Sequence, residues 1–185
     1  MIRRVVNIVV AVTGLILTAP IIAILAVVIR LESKGSPIFL QRRVGRNENE
    51  FCCVKLRTMY KDTPDIGTHL VGVSRITRLG KVLRKFKLDE LPQLWNVLVG
   101  DMDIIGPRPC LPSQSELVRA RRNRGVFSIR PGITGLAQVK GIDMSDPQRL
   151  AKVDREYMDS NSVKQNVYIL FATIFGAGFS DRTKG

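Results

Sequence analysis

The hydrophobic pattern opens with one unbroken run. From Val5 to Ile29 no residue is charged across 25 positions, and Asn7, Thr13 and Thr18 are the polar exceptions. As one straight helix the run would reach about 37 Å, more than the roughly 30 Å of a bilayer's hydrocarbon core. It is also longer than the ~7–15 apolar residues of a secretory signal. A buried core helix seldom stays uncharged for so long in a small protein. The run is read as a membrane segment. Pro20 lies inside it, donates no amide hydrogen and clashes with the carbonyl of Ile16. In lipid that carbonyl needs another donor, and Thr18 and Thr13 are near enough in sequence to offer one. The residues leave two outcomes open: a kinked spanning helix, or a re-entrant helix that leaves by the face it entered. Arg3 and Arg4 precede the run, while Arg30, Lys34, Arg42 and Arg43 follow it. Positive charge at both ends fits a simple crossing poorly.

Beyond residue 30 the pattern becomes short and mixed. Ile38 to Arg42 and Phe51 to Arg57 read as two strands around a polar turn, Val44 to Asn49, which predicts a small hairpin. Lys61 to Gly72, with Pro64, Gly67 and Gly72, reads as a loop. Ser74 is placed to cap a helix running to about Phe86. Ile76, Leu79, Leu83 and Phe86 form its stripe, and Arg75, Arg78, Lys81, Arg84, Lys85 and Lys87 fill the rest. Such a basic amphipathic helix suits an anionic membrane surface. A second helix is predicted from Leu91 to Val99, with Pro92 in its first turn, Leu91, Leu94 and Leu98 as its stripe, and Gly100 ending it. This sets Asp89 and Glu90 at its N-terminus. Val163 to Phe179 predicts a largely apolar helix whose Tyr168, Phe171, Phe175 and Phe179 suit a lipid interface. The expected fold is α+β and mostly helical, with a membrane helix over residues 1–30 and a membrane-facing domain over residues 31–185.

Composition narrows the partners. The chain has 185 residues, 29 Lys+Arg and 16 Asp+Glu, for a net charge of +13, yet 45% of it is hydrophobic. That apolar content excludes a disordered basic tail. The charge points to an anionic partner: nucleic acid, anionic lipid or a phosphorylated substrate. Cys52, Cys53 and Cys110 form no even disulfide set and no Cys-x-x-Cys pair, as expected of a reducing compartment. His69 is the one histidine. A multi-histidine metal site is excluded, and a histidine-based triad is disfavoured.

Three stretches carry candidate chemistry. In Lys87-Leu88-Asp89-Glu90-Leu91-Pro92 two adjacent carboxylates repel each other, which Arg84, Lys87 and a helix N-terminus offset. Neighbours on a helix point about 100° apart, so one carboxylate could attack while the other binds a cation. In Gly106-Pro107-Arg108-Pro109 two prolines hold an arginine on stiff backbone, which suits bidentate phosphate binding. In Arg130-Pro131-Gly132-Ile133-Thr134-Gly135 the glycines would let backbone amides approach an anion beside Arg130. Lys55 and Arg57, at the end of the second strand, are further candidate anion ligands.

Together with Lys55-Leu56-Arg57-Thr58-Met59, Leu88-Asp89-Glu90-Leu91-Pro92-Gln93-Leu94, Gly100-Asp101-Met102 and Leu136-Ala137-Gln138-Val139, these motifs, in this order, resemble the bacterial sugar transferases. Those are the monotopic phosphoglycosyl transferases, and the chain resembles their minimal catalytic form. The resemblance runs from about Arg3 to the last helix. It implies a UDP-sugar donor, a polyprenol phosphate acceptor such as undecaprenyl phosphate, release of UMP, and Mg²⁺ as cofactor. It implies that Asp89 carries a covalent phosphosugar, that Glu90 is its dyad partner, and that both sit at the metal. Arg84, five residues before Asp89, and Arg108 match basic active-site positions, and Arg130 lies in a matching motif. The resemblance also implies a re-entrant helix with both ends cytoplasmic, interfacial helices around one active site, and a place on the cytoplasmic face of the bacterial inner membrane. Membrane lipids are then partners, a homodimer is left open, and nucleic acid is not expected.

The sequence departs from that family in three places. Thr18-Ala19-Pro20 stands where relatives break the helix at Ser-Pro, so Thr18 is the substitute hydroxyl. Lys140-Gly141-Ile142-Asp143 replaces the usual continuation after Gln138-Val139, which leaves the sugar open. Asn166 stands where relatives often carry Asp, while Asp154 and Tyr157 keep an Asp-x-x-Tyr pattern. The competing readings are a membrane-anchored nucleic-acid-binding module, which lacks an RNP motif and an aromatic platform, and a scaffold on anionic lipid.

Overall fold

The computed structural model describes residues 2–61, 63, 75–160 and 162–176. Most of the loop expected from Lys61 to Gly72, with His69, lies outside them, as do Ser74 and Phe179. The described residues form two compact units, one from residues 2–41 and 52–99, the other from residues 42–51 and 100–176.

The first unit begins with α1 (Ile2–Glu32), 31 residues long and continuous through Pro20. It is long and apolar enough to cross a membrane, and only Asn7, Ala11 and Ile29 along it are buried. Val5, Val9, Ile16, Leu17, Ile24 and Val27 are all exposed. A core helix would hide such a surface, and an exposed apolar ring of this length suits a membrane anchor. Thr18 does not serve the carbonyl that Pro20 frees. Its Oγ1 donates at 2.6 Å to Gly14 O, one turn back, the ordinary reach of a helical threonine. The hairpin is present as β1 (Ile38–Val44) and β2 (Glu50–Leu56), joined by a 3₁₀ turn over Arg46–Glu48.

The hairpin tip, residues 42–51, belongs to the second unit, and two short helices belong to the first unit. The first, α2 (Arg78–Lys85), starts later than Ser74 would place it, because Thr77 is the cap and its side chain accepts from the Gly80 amide. Ile76 and Leu83 of its stripe are buried, whereas Phe86 is exposed. The second, α3 (Gln93–Val99), follows a 3₁₀ turn over Leu88–Glu90 that opens on Lys87 in the left-handed region, φ 55°. Its buried face is Gln93, Asn96 and Val97, not the predicted leucine stripe. The leucine side meets α1 instead: a methyl on Gly14 would come within 2.9 Å of Leu94 Cδ1. Ile29, Leu56 and Leu83 form the apolar centre, with Ile22, Leu25, Ile38, Leu79 and Leu88 against it.

The second unit contains elements that periodicity did not predict. The strand β3 (Asp103–Ile105) leads through α4 (Ser115–Asn123) to β4 (Gly132–Thr134), and β3 and β4 pair in parallel, Asp103 opposite Gly132 and Ile105 opposite Thr134. Then come α5 (Leu136–Val139), α6 (Pro147–Ser160) and α7 (Val163–Ile174). Their core gathers Ile105, Leu117, Phe127, Leu136, Leu150, Val153, Tyr157 and Ile169. Along α7 only Ile169 is buried. Val163, Tyr168 and Ile174 are exposed, and so is Phe171, which stacks on Phe175 at 5.2 Å. This is the aromatic face expected of the last helix.

Candidate active site

In the first unit the strand β2 brings a lysine onto the paired carboxylates. Lys55 Nζ lies 3.0 Å from Glu90 Oε1, and the two side chains are 14% and 8% exposed. Asp89 and Glu90 are both buried in the 3₁₀ turn before α3. Two neighbouring acids held out of water at such a turn are more than a solvated cap. The position of the turn depends on Asn96, which sequence reasoning missed. Its Oδ1 accepts from the Val54 amide at 2.9 Å, and its Nδ2 donates to Cys52 O at 2.8 Å. One buried amide thus stands in for a neighbouring strand and locks α3 to β2, next to Lys55. An asparagine among Leu94, Trp95, Val97 and Leu98 was the available signal. Asn96→Leu, of similar size but without the amide, should cost about 2 kcal/mol. Thermal unfolding of the lipid- or detergent-held protein measures that loss.

The other basic residues of this unit have distinct settings. Arg84 is half-buried on α2, and its Nε donates to Thr58 Oγ1 at 2.9 Å. That threonine is held in turn, since Thr58 O accepts the Thr77 amide at 3.1 Å. Arg57, expected to bind phosphate, is 9% exposed and faces the end of α1. Its Nη2 donates to Ser33 O at 2.6 Å and to Ser33 Oγ at 2.9 Å. A guanidinium at a helix C-terminus satisfies carbonyls and complements the helix dipole, so Arg57 secures the end of α1 here. At the other end of α1, Arg4 donates to Val97 O at 2.6 Å and to Leu98 O at 2.9 Å, the last carbonyls of α3. Glu32 Oε1 accepts from the Leu79 amide at 3.0 Å, in the first turn of α2.

The second unit holds Arg108 and Arg130. Arg108 is half-buried, whereas its neighbours from Ile105 to Cys110 are buried. Arg130 is half-buried, and its Nε donates to Gly100 O at 2.6 Å. The glycines beside it do not form the expected anion cradle. The Gly132 amide donates to Pro107 O at 2.9 Å, and a methyl on Gly132 would collide with Gly106 N. A methyl on Gly135 would collide with Gly106 O. These glycines let the β4 segment approach Gly106-Pro107 at backbone distance, which no side chain permits. The Asp-x-x-Tyr pair is placed inside: Asp154 is buried against Arg121, and the Tyr157 hydroxyl lies 3.1 Å from Asn166 Oδ1.

Among the described residues no group of three or more His, Cys, Asp and Glu side chains is arranged to hold a metal. In the buried turn before α3, the donors available to a cation would be the carboxylates of Asp89 and Glu90. That donor set fits Mg²⁺, which is commonly held by one or two carboxylates together with substrate phosphates and water.

The family described as Bacterial sugar transferase matches residues 1–179. The UDP-glucose:undecaprenyl-phosphate glucose-1-phosphate transferase of Caulobacter vibrioides is 38% identical over 182 residues, covering 93% of this chain and 68% of that protein. The UDP-N-acetylgalactosamine-undecaprenyl-phosphate N-acetylgalactosaminephosphotransferase of Aeromonas hydrophila is 39% identical over 183 residues, covering 94% of this chain and 43% of that protein. The undecaprenyl-phosphate glucose phosphotransferase of Komagataeibacter xylinus is 34% identical, and this chain spans 35% of its length. The lysine-bound carboxylate pair, the membrane-suited first helix and a match along almost the whole chain lead to one assignment: this chain belongs to the bacterial sugar transferases, a family of enzymes.

Proposed function

We propose that this protein transfers a sugar-1-phosphate from a UDP-sugar to a polyprenol phosphate, such as undecaprenyl phosphate, at the cytoplasmic face of the bacterial inner membrane. The observation that carries the reading is the buried Asp89–Glu90 pair with Lys55 on Glu90, in the unit that also bears the membrane helix. In the first step an Asp89 carboxylate oxygen attacks the β-phosphorus of the UDP-sugar. A phosphorus–oxygen bond forms to Asp89, the bond to UMP breaks, and UMP leaves with the electron pair. In the second step an oxygen of the lipid phosphate attacks the same phosphorus. The Asp89–phosphorus bond breaks and the carboxylate is restored. A covalent relay of this kind splits one difficult transfer into two.

A carboxylate approaching a diphosphate meets like charge. Lys55 on Glu90 sets a positive charge beside the pair in the first unit, where Arg84 is the candidate for neutralising phosphate charge; in the second unit Arg108 and Arg130 are the candidate phosphate ligands. Asp89 and Glu90 would hold Mg²⁺, which supplies charge neutralisation on the phosphate oxygens. A relay suits substrates of different phases, because the soluble donor need never meet the lipid acceptor directly.

We infer in addition that α1 is re-entrant. A straight 31-residue helix is about 46 Å long. Contacts near its two ends, Arg4 on α3 and Glu32 on α2, belong to one compact unit, which supports a helix that returns to its own face. Single cysteines at Ile2→Cys and Gly185→Cys, with Cys52 replaced by serine, test this in intact spheroplasts. Neither label should react with an impermeant maleimide until the membrane is opened. Opposite sidedness would mean a spanning helix.

The test of the function is UMP release from a panel of UDP-sugars by purified protein with Mg²⁺ and polyprenol phosphate. One sugar should support sustained turnover only when the lipid is present. Folded, lipid-embedded protein that releases no UMP from any sugar would overturn the assignment of donor class.

A further inference from the structure

Four consecutive backbone carbonyls of the second unit are each taken by a different donor. Pro107 O accepts from the Gly132 amide at 2.9 Å, and Cys110 O from the Val44 amide at 2.9 Å. Between them, Arg108 O accepts from Arg121 Nη1 at 2.8 Å, and Pro109 O from Arg43 Nη1 at 2.8 Å. The need follows from the sequence. Pro107 and Pro109 have no N–H, so this stretch is held chiefly by its acceptors.

Two of the four donors are buried guanidinium groups. Arg121 is 1% exposed and Arg43 is 8% exposed. Burying such a charge is costly unless it is paired. Arg121 is paired with Asp154, Nε at 2.9 Å and Nη2 at 2.7 Å from Oδ2, and both side chains are 2% exposed. Burial pushes the Asp154 carboxyl above its usual range, and the Arg121 guanidinium pulls it back. Ordinary turns are held by backbone or water. Here two buried cations serve the carbonyl of Arg108 and the carbonyl after it. Within Ile105–Cys110, Arg108 is the residue that is not buried.

We propose that Arg43 and the Arg121–Asp154 pair are positioning residues for Arg108: they fix its backbone so that its guanidinium is presented to the substrate phosphates in one orientation. This rests on the reading of Arg108 as a phosphate ligand. Arg121 and Asp154 act through that backbone and touch no substrate. The orientation is set before substrate arrives, so its loss should appear in turnover as well as in donor binding.

Arg121→Ala is a poor test, because it leaves Asp154 buried without its cation. The double variant Arg121→Met/Asp154→Leu replaces the pair with apolar side chains of similar volume, a change that is often neutral for stability. It is made in the full chain, in lipid, with and without Arg108→Ala. The readouts are kcat and KM for the UDP-sugar selected by UMP release, and the thermal midpoint. We expect the midpoint to hold within a few degrees, kcat/KM to fall about tenfold to a hundredfold, and kcat to carry a share of that fall. With Arg108→Ala present, the pair replacement should cost less than about twofold more, because interacting sites are not additive. A folded double variant with unchanged kcat/KM would overturn the proposal. So would a full, multiplicative loss on top of Arg108→Ala. If Arg108→Ala itself leaves kcat/KM unchanged, Arg108 is no phosphate ligand and the positioning role falls with it. Should the double variant not fold, Arg43→Met gives the same reading through the Pro109 carbonyl, with a several-fold loss expected that vanishes in the Arg108→Ala background.

Discussion

Asp89→Asn is expected to abolish lipid-dependent UMP release while leaving the protein folded. The amide keeps the shape of the carboxylate, so the 3₁₀ turn over Leu88–Glu90 should persist. It cannot act as an oxygen nucleophile, and the relay through residue 89 has no substitute: Glu90 is held by Lys55 at 3.0 Å. Loss of a nucleophile that carries a covalent intermediate lowers turnover by about a thousandfold or more. The comparison is initial UMP release by the variant and the native chain, at matched protein and lipid, with thermal unfolding alongside. Near-native turnover by Asp89→Asn would mean that the lipid phosphate attacks the donor directly.

The second large effect is on stability. Gly132→Ala should cost about 3 kcal/mol, since the new methyl must push one backbone away from another and not merely displace a side chain. It would overlap Gly106 N, and it would stand 2.6 Å from Ile105 C and 2.7 Å from Gly106 Cα. Separating these breaks the parallel register of Asp103 with Gly132 and withdraws the Gly132 amide from Pro107 O. For a chain of this size the thermal midpoint should drop by roughly 6–12 °C. UMP release should fall as well, because the Pro-Arg-Pro segment loses one of its four carbonyl partners. Gly141→Ala is the matched control. That glycine has φ +67° but nothing within 4 Å of the added methyl. It should lose only the left-handed backbone penalty, about 1 kcal/mol. Equal midpoints for the two variants would remove the close-approach account of Gly132.

The elements of the fold that were legible in the sequence are those with a long or clean local signal. The uncharged run before Arg30 became α1, and the polar turn around Gly45 became the hairpin tip. The strands β3 and β4 were not legible, because each has three residues and they pair across an intervening helix. Periodicity needs more positions than that, and parallel pairing leaves no local mark. The helix α4 was hidden for another reason: it is polar overall and buries Arg121 beside Leu117 and Ala120.

At the site, residue type was legible and partner was not. Lys55 and Arg57 both read as basic residues at a strand end, yet one faces Glu90 and the other the end of α1. Gly132 and Gly135 announced a close approach, but sequence could not say that the approaching group was Gly106 and not an anion. Asn96 is one amide in an apolar helix, and its two bonds to β2 exist only once the strand is in place. Long-range contacts of this kind are decided by tertiary packing, to which local propensity is blind.

A covalent relay through Asp89 is read directly from the intact mass of the protein after incubation with its UDP-sugar and Mg²⁺, without polyprenol phosphate. The protein should gain the mass of one phosphosugar, located on the peptide containing Asp89, with stoichiometric UMP release. Addition of the lipid phosphate should remove the added mass and produce the lipid-linked sugar. Efficient formation of that lipid product, with no covalent species and no UMP release before lipid is added, would contradict the relay.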